Sequence, residues 1–360
     1  MSLGPVMVDV AGLELTDVER ERLRHPLVGG VILFARNYAT PAQLHALTHD
    51  IRALRHPHLL IATDHEGGRV QRFRQGFTLL PAMGDIGRLW DRQPHRALHL
   101  AQDVGYVMAA ELRAHGVDVS FAPVLDIDYG RSAVIGNRAF HADPSAVGDL
   151  AMSLMSGMHA AGMQSVAKHF PGHGWVEADS HLAEPVDQRR LRELEDADLL
   201  PYRRLFAAGL AGVMPAHVRY ASIDADAAGF SRFWLGEMLR ARMGFDGAVF
   251  SDDLSMEGAG VAGDIVQRSQ AALDAGCDML LVCNNPAAAD QVLAGLSWKH
   301  DAINIARRAR LHGRPRPAGM TALLEQPRYL RARHAVASFG HDNGDFWRND
   351  AGNTCGLSGT

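Results

Sequence analysis

Eight short apolar runs constrain this chain more than any other feature. They are PVMVDV (5–10), GVILFA (30–35), LLIATD (59–64), VDVSFAPV (117–124), SVAKHF (165–170), GVMPAH (212–217), AVFSDD (248–253) and MLLVCN (279–284). Within each run the apolar residues are continuous rather than alternating. Such strands must be buried on both faces, which suits parallel strands joined by helical crossovers. The segments between the runs read as helices. TPAQLHALTHDIRALR begins with Thr40 as an N-cap and Pro41 at the first helical position. Four further helical segments end at Gly116, Gly162, Gly244 and Gly276, where glycine supplies the left-handed turn back into a strand. Eight strands with mostly helical crossovers predict a single-domain (β/α)8 TIM barrel. The connection 65–116 is long enough to need an extra loop before its helix. After residue 297 the pattern weakens: HDAINIARRARLHG predicts one more helix and GRPRPAG a turn or linker. The reading therefore assigns 1–340 to the barrel and the polar, Gly/Asn-rich 341–360 to a loosely held tail.

Composition narrows the function. The 360 residues are 47% hydrophobic, enough for a full core, and the net charge is -5. No basic stripe interleaves with aromatics, which argues against nucleic acid as a partner. The start, MSLGPVMVDVAGLEL, lacks the basic and apolar segments of a signal peptide, and no run approaches the roughly 18 apolar residues of a membrane span. The expectation is a cytoplasmic protein without a membrane partner. Cys277, Cys283 and Cys355 form neither an even set nor a CxxC pair and read as reduced thiols, the first two filling core beside a strand.

Barrel enzymes carry their chemistry at the C-terminal ends of the strands. Here six consecutive runs end in or lead into polar residues: Asp64; Asp126 and Asp128; Lys168 and His169; His217; Asp252 and Asp253; Asn284 and Asn285. The third run continues into TDHEGGRVQRF, where Gly67 and Gly68 let the backbone approach a ligand. A carboxylate and an arginine there, Asp64 with Arg69 or Arg72, can grip neighbouring sugar hydroxyls. RSAVIGNRAF adds Arg138, which alone reads as an ordinary surface arginine. KHFPGHGWVEADSHLAEP (168–185) concentrates Lys168, His169, His173, Asp179 and His181, a composition open to a metal site, a sugar-processing site or a solvated loop. In FSDDLSMEGA two adjacent aspartates point to opposite faces of a strand, so one can face the barrel mouth while the other holds the loop.

Taken together, KHFPGHG with D-S-H behind it, DHEGGRVQR upstream and FSDDLSMEG downstream are similar to glycoside hydrolase family 3. The nearer resemblance is to its single-domain bacterial β-N-acetylglucosaminidases of cell-wall recycling, over roughly residues 5–300. The resemblance implies Asp252 as nucleophile, His181 as acid/base with Asp179 as its partner, and Asp64, Arg72, Arg138, Lys168 and His169 as contacts to N-acetylglucosamine. It implies a retaining exo-hydrolase acting on muropeptides of the GlcNAc-1,6-anhydroMurNAc type, as a monomer, with no metal or cofactor. His65 departs from the family, which more often has Gln there; it should face away from the sugar. A His–Asp dyad is chemically reasonable, because imidazole titrates near neutrality and a carboxylate can orient it. Gly172, Gly174 and the lack of helical pattern suggest that 171–184 moves and brings His181 in with substrate. His173 could hold this loop or touch the sugar.

Three alternatives remain. A metal-dependent barrel hydrolase could use His169, His173, His181, His217 and Asp252, although Pro171 and Gly172 keep His169 and His173 off one helical face and no HExxH occurs. A sugar-binding module without activity would have no use for Asp252 and the Asp179–His181 pair together. A glycoside phosphorylase is compatible with a His acid/base, which repels phosphate less than a glutamate does.

Overall fold

The computed structural model describes residues 3–177, 185–256, 263–299, 301–314 and 319–342. Strands β1 (Val6–Val8), β2 (Val28–Leu33), β3 (Leu60–Thr63), β4 (Val119–Ser120), β5 (Gln164–Phe170), β6 (Gly212–Pro215), β7 (Ala248–Asp253) and β8 (Met279–Val282) fall within or across the eight runs. They close in chain order into one barrel. Neighbours pair in parallel throughout, and β1 closes on β8 with Val6 opposite Leu280. The expected (β/α)8 TIM barrel is the observed fold.

The continuous apolar runs follow from two separate cores. Met7, Ile32, Leu60, Val119, Val166, Met214 and Phe250 point into the barrel, while Val6, Val31, Ile61, Val213 and Val249 point outward against the helices. Inside, Phe121 and Phe250 meet edge to face at 5.2 Å, a favoured aromatic geometry. Gly30 makes room for this packing: a Cβ there would lie 2.6 Å from the Met7 methyl.

The crossovers follow their local signals. Thr40 Oγ1 accepts from Gln43 N at 3.2 Å and starts the helix Pro41–Ala53. Gly116, Gly162, Gly244 and Gly276 all have positive φ, as the helix-end reading requires. The long third connection holds a small antiparallel ribbon, His65–Gly67 with Val70–Gln71, and a helix Met83–Trp90 ahead of Pro94–Ala114. Two features differ from expectation. Phe233–Arg242 winds as a π-helix, ending with Met243 N on Met238 O. Its buried residues, Trp234, Leu235, Met238 and Leu239, satisfy either winding, so the pattern cannot tell the two apart. A helix at Pro327–Asp342 was not anticipated. It lies against Pro94–Ala114, where Tyr329 OH donates to Glu111 Oε1 at 2.6 Å.

The helix Ala302–Ala309 closes the N-terminal mouth of the barrel. Leu311 joins the inner core, and the Arg308 guanidinium donates to the Gly4 carbonyl. Cys277 and Cys283 are buried free thiols; Cys355 and the tail from 343 onward lie outside the described residues. Among the described residues, no helix is long and apolar enough to cross a membrane.

Candidate active site

The C-terminal ends of β3, β5, β6 and β7 bring together most of the singled-out side chains. Asp64 leaves β3 and accepts from Lys168 Nζ at 2.8 Å and from Arg72 Nη2 at 3.2 Å. Lys168, near the end of β5, is also 2.6 Å from Glu66 Oε1. Arg138 grips both oxygens of Glu66, each at 2.8 Å. Arg138 is therefore not the surface residue that its loop position suggested: Glu66 draws it inward, and its side chain is only 11% exposed.

This cluster keeps its charges. Burial opposes ionisation of Glu66, but Arg138 and Lys168 hold its carboxyl well below the usual range. Burial likewise opposes ionisation of Asp64, and Lys168 and Arg72 outweigh it. Lys168 would be lowered by burial but is raised by Asp64 and Glu66. The result is two carboxylates interleaved with three cations, a preorganised set of charge-assisted donors and acceptors for adjacent hydroxyls.

His169 is oriented from behind. Its Nδ1 lies 2.7 Å from Asp126 Oδ2. Burial would raise Asp126, but His169 and the His173 N–H keep it ionised. A carboxylate holding Nδ1–H leaves Nε2 as the ring nitrogen available to a ligand. His173 ties the loop through its backbone, N to Asp126 Oδ1 at 2.7 Å. Its ring is buried with neither nitrogen partnered among the described residues, and burial lowers its pKa.

Asp252 and Asp253 separate as strand alternation requires. Burial works against the charge on Asp252, but His217, His169 and the Asp253 N–H hold its carboxyl below the usual range. That N–H reaches Asp252 Oδ1 at 2.8 Å. Asp253 turns to the loop, its Oδ1 accepting from Ser255 N and Cys283 N. His217 Nε2 is 3.0 Å from the Asp253 carbonyl and its ring stacks on Phe230.

Asp64, Arg72, Arg138, Lys168, His169 and Asp252 thus lie at one end of the barrel. Asp179 and His181 lie outside the described residues. Asp128 and Asn285 serve locally instead: Asp128 accepts from Gly130 N, and Asn285 caps the helix Pro286–Gly295. Arg69 donates to the carbonyls of Ala133 and Val134. The His65 ring packs on Phe73 and Phe77, away from Asp64, and burial pushes its pKa down to about 3. Among the described residues no group of three or more His, Cys, Asp or Glu could hold a metal ion.

One position escaped the sequence reading of the site, and the role of another was not seen. Glu66 stands two residues from Asp64 in extended backbone, so alternation alone could have placed both on one face. Asp126 was noticed at its strand end, but nothing local pointed to His169 as its partner.

Two large clefts, about 610 and 800 Å³, open at the opposite end of the strands. Each is lined by a single carboxylate, Asp118 or Asp246, already paired with Arg52 or Arg307. The first is also lined by His45, His49, His56, His58 and His312, at the opposite end of the barrel from Asp64, Lys168 and Asp252.

A barrel rim carrying an ionised carboxylate beside a cluster of interleaved carboxylates and cations has the chemical groups that carbohydrate cleavage needs. The family model described as glycosyl hydrolase family 3 N terminal domain matches residues 5–310, and the chain belongs to that family. It is 59% identical over 359 residues to the β-hexosaminidase of Thiobacillus denitrificans, covering 99% of this chain and 100% of that one. It is 62% identical over 306 residues to the β-hexosaminidase of Bordetella avium, covering 85% and 87%. The structure of NagZ from Neisseria gonorrhoeae in complex with N-trifluoroacetyl-D-glucosamine superposes with a TM-score of 0.90 at 47% identity, over 94% of this chain and 98% of that one.

Proposed function

We propose that this family 3 glycoside hydrolase is a retaining exo-β-N-acetylglucosaminidase that removes terminal β-linked N-acetylglucosamine from muropeptides of the GlcNAc-1,6-anhydroMurNAc type. The observation that carries the reading is the charge pattern at one barrel end: Asp252 ionised, with no lysine or arginine paired to it among the described residues, beside the Asp64–Lys168–Glu66–Arg138 cluster. The relatives named above support the sugar.

In this reading Asp64, Arg72, Lys168, Arg138 and His169 hold the sugar, Arg138 acting in part through Glu66. Asp252 attacks the anomeric carbon while His181, oriented by Asp179, protonates the departing oxygen. A covalent glycosyl-enzyme forms, and the leaving group takes the proton. His181 then removes a proton from water, which attacks the same carbon and frees Asp252, so configuration is retained. The enzyme acts as a cytoplasmic monomer, where recycled wall fragments arrive.

Rates on aryl β-N-acetylglucosaminide and aryl β-glucoside test the specificity: the first should be cleaved far faster, and equal rates would end the claim. A phosphorylase remains a chemical rival because of the His acid/base. Product analysis with and without phosphate separates them: the hydrolase releases free N-acetylglucosamine in both, and a sugar phosphate would indicate phosphorolysis.

A further inference from the structure

The cleft of about 610 Å³ at the N-terminal end of the barrel gathers positive groups from several parts of the chain. His45, His49 and Arg52 come from the helix Pro41–Ala53. His56 and His58 follow on the turn into β3, and their rings lie 4.2 Å apart. Arg113 enters from the last turn of Pro94–Ala114. His312 and Arg314 come from the segment after Ala302–Ala309. Against these stands one lining carboxylate, Asp118.

Asp118 is already engaged. Its Oδ1 accepts from Arg52 Nη2 at 2.7 Å and its Oδ2 from Ile61 N at 3.1 Å. His312 Nδ1 stands 3.8 Å from the same Oδ2. The lining holds no second carboxylate. Burial lowers the His312 pKa, and Arg52, His58 and Arg314 lower it further against the pull of Asp118. His58 is held in orientation: its Nδ1 lies 2.7 Å from the Arg52 carbonyl oxygen. A carbonyl can only accept, so Nδ1 carries the hydrogen and Nε2 is the atom left for a ligand. The backbone makes room for Arg113, which is 5% exposed: a Cβ on Gly313 would fall on its guanidinium. A metal ion is the wrong ligand for this set. His45 and His49 sit about one helical turn apart, but among the described residues no three His, Cys, Asp or Glu side chains are placed to hold a metal ion. Arginine also stays charged, and the arginines of the cleft oppose a cation.

We propose that this cleft binds a small polyphosphorylated anion, with Arg113, Arg314 and the histidines as its partners. Guanidinium and imidazolium groups give phosphate oxygens charge-assisted hydrogen bonds. A single phosphate would fill little of the space, whose volume lies in the usual range of small-molecule pockets, about 300–1,000 Å³. Linked phosphates reach several of the donors at once. The site is separate from the cluster around Asp64 and Lys168, which lies at the other end of the strands. A bound anion joins the helix Pro41–Ala53 to the segment at 312–314, so it stabilises the fold without touching the sugar chemistry.

The test is calorimetry with inorganic pyrophosphate at constant ionic strength and mildly acidic pH, where imidazole takes up protons. Wild type should bind it saturably, one per chain, and melt at a higher temperature with it, because a ligand of the folded state alone stabilises that state. His49→Ala with Arg314→Ala removes two positive groups from exposed positions and should weaken binding about tenfold or more. His45→Glu, on the same helix, should weaken it as well, and it decides the matter if the double variant does not fold. Turnover of an aryl β-N-acetylglucosaminide should be unchanged by saturating pyrophosphate and by these substitutions. A nucleoside diphosphate that binds more tightly than pyrophosphate identifies the ligand as a nucleotide, and no gain identifies it as an inorganic polyphosphate; both keep the site. Absence of saturable binding, affinity unchanged in the variants, or an equal melting shift from sulfate overturns the proposal. So does competition with substrate that the variants do not alter, which would place the anion among Arg72, Arg138 and Lys168.

Discussion

Asp252 and Asp253 occupy successive positions and differ in what faces them. Histidines and a backbone N–H keep the first ionised, while the second is buried among neutral donors. If Asp252 is the nucleophile, Asp252→Ala should lose nearly all turnover yet still bind N-acetylglucosamine through Asp64 and Lys168. A mechanism-based fluorosugar should label the wild-type peptide at residue 252 by mass spectrometry; label on 253 would reverse the assignment. His181→Ala should slow poor leaving groups about 100- to 10,000-fold more than activated aryl glycosides, since only the former need a proton. A uniform loss would make His181 a binding residue. Asp253 also predicts a stability trend. Its folded pKa is raised from 3.8 to about 7, so between those values the folded state holds a proton that the unfolded chain has released. Its contribution to stability therefore falls as pH rises through that window. Denaturant midpoints across it should decline in wild type more steeply than in Asp253→Asn.

The β3 ribbon, the end of β5 and the turn at Gly136–Arg138 meet through Glu66, Lys168 and Arg138. Glu66→Gln leaves Lys168 and Arg138 buried with one anion fewer, and breaking a buried pair typically costs about 3–5 kcal/mol. Urea titration should show that loss, with weaker sugar binding; a variant as stable as wild type would mean that water or Asp64 replaces the pair. This clamp also marks how far the chain could be read. The eight strands were legible because burial on both faces writes a continuous apolar run. Asp64 and Lys168 were legible because strand ends point at the mouth of a barrel; the same rule left Asp252 and Asp253 undivided, and only the family resemblance selected Asp252. Arg138 looked like a surface residue because its partner lies 72 positions away, a pairing created by closure of the barrel and absent from any local window. The Pro327–Asp342 helix was missed for a similar reason. Its sequence is rich in arginine, and one of its anchors, Glu111, is 218 residues upstream.

That last helix contributes to the whole domain. Val336 and Phe339 are buried along it, at 1% and 5% exposure, and two such side chains are worth roughly 3–6 kcal/mol together. Truncation before Pro327 should therefore lower the melting midpoint sharply, whereas removing 343–360 should change neither stability nor turnover; melting curves of the two truncations distinguish the helix from the tail. The closure of β1 on β8 has a consequence for how the protein is made. Val6 pairs with Leu280, 274 positions later. At about 5–20 residues per second a ribosome takes about 14 to 55 s to span that interval. Throughout it the nascent first strand presents an open edge of backbone donors and acceptors. Pairing with β2 covers only the opposite edge of β1, so the edge that β8 will take stays open until the eighth strand arrives.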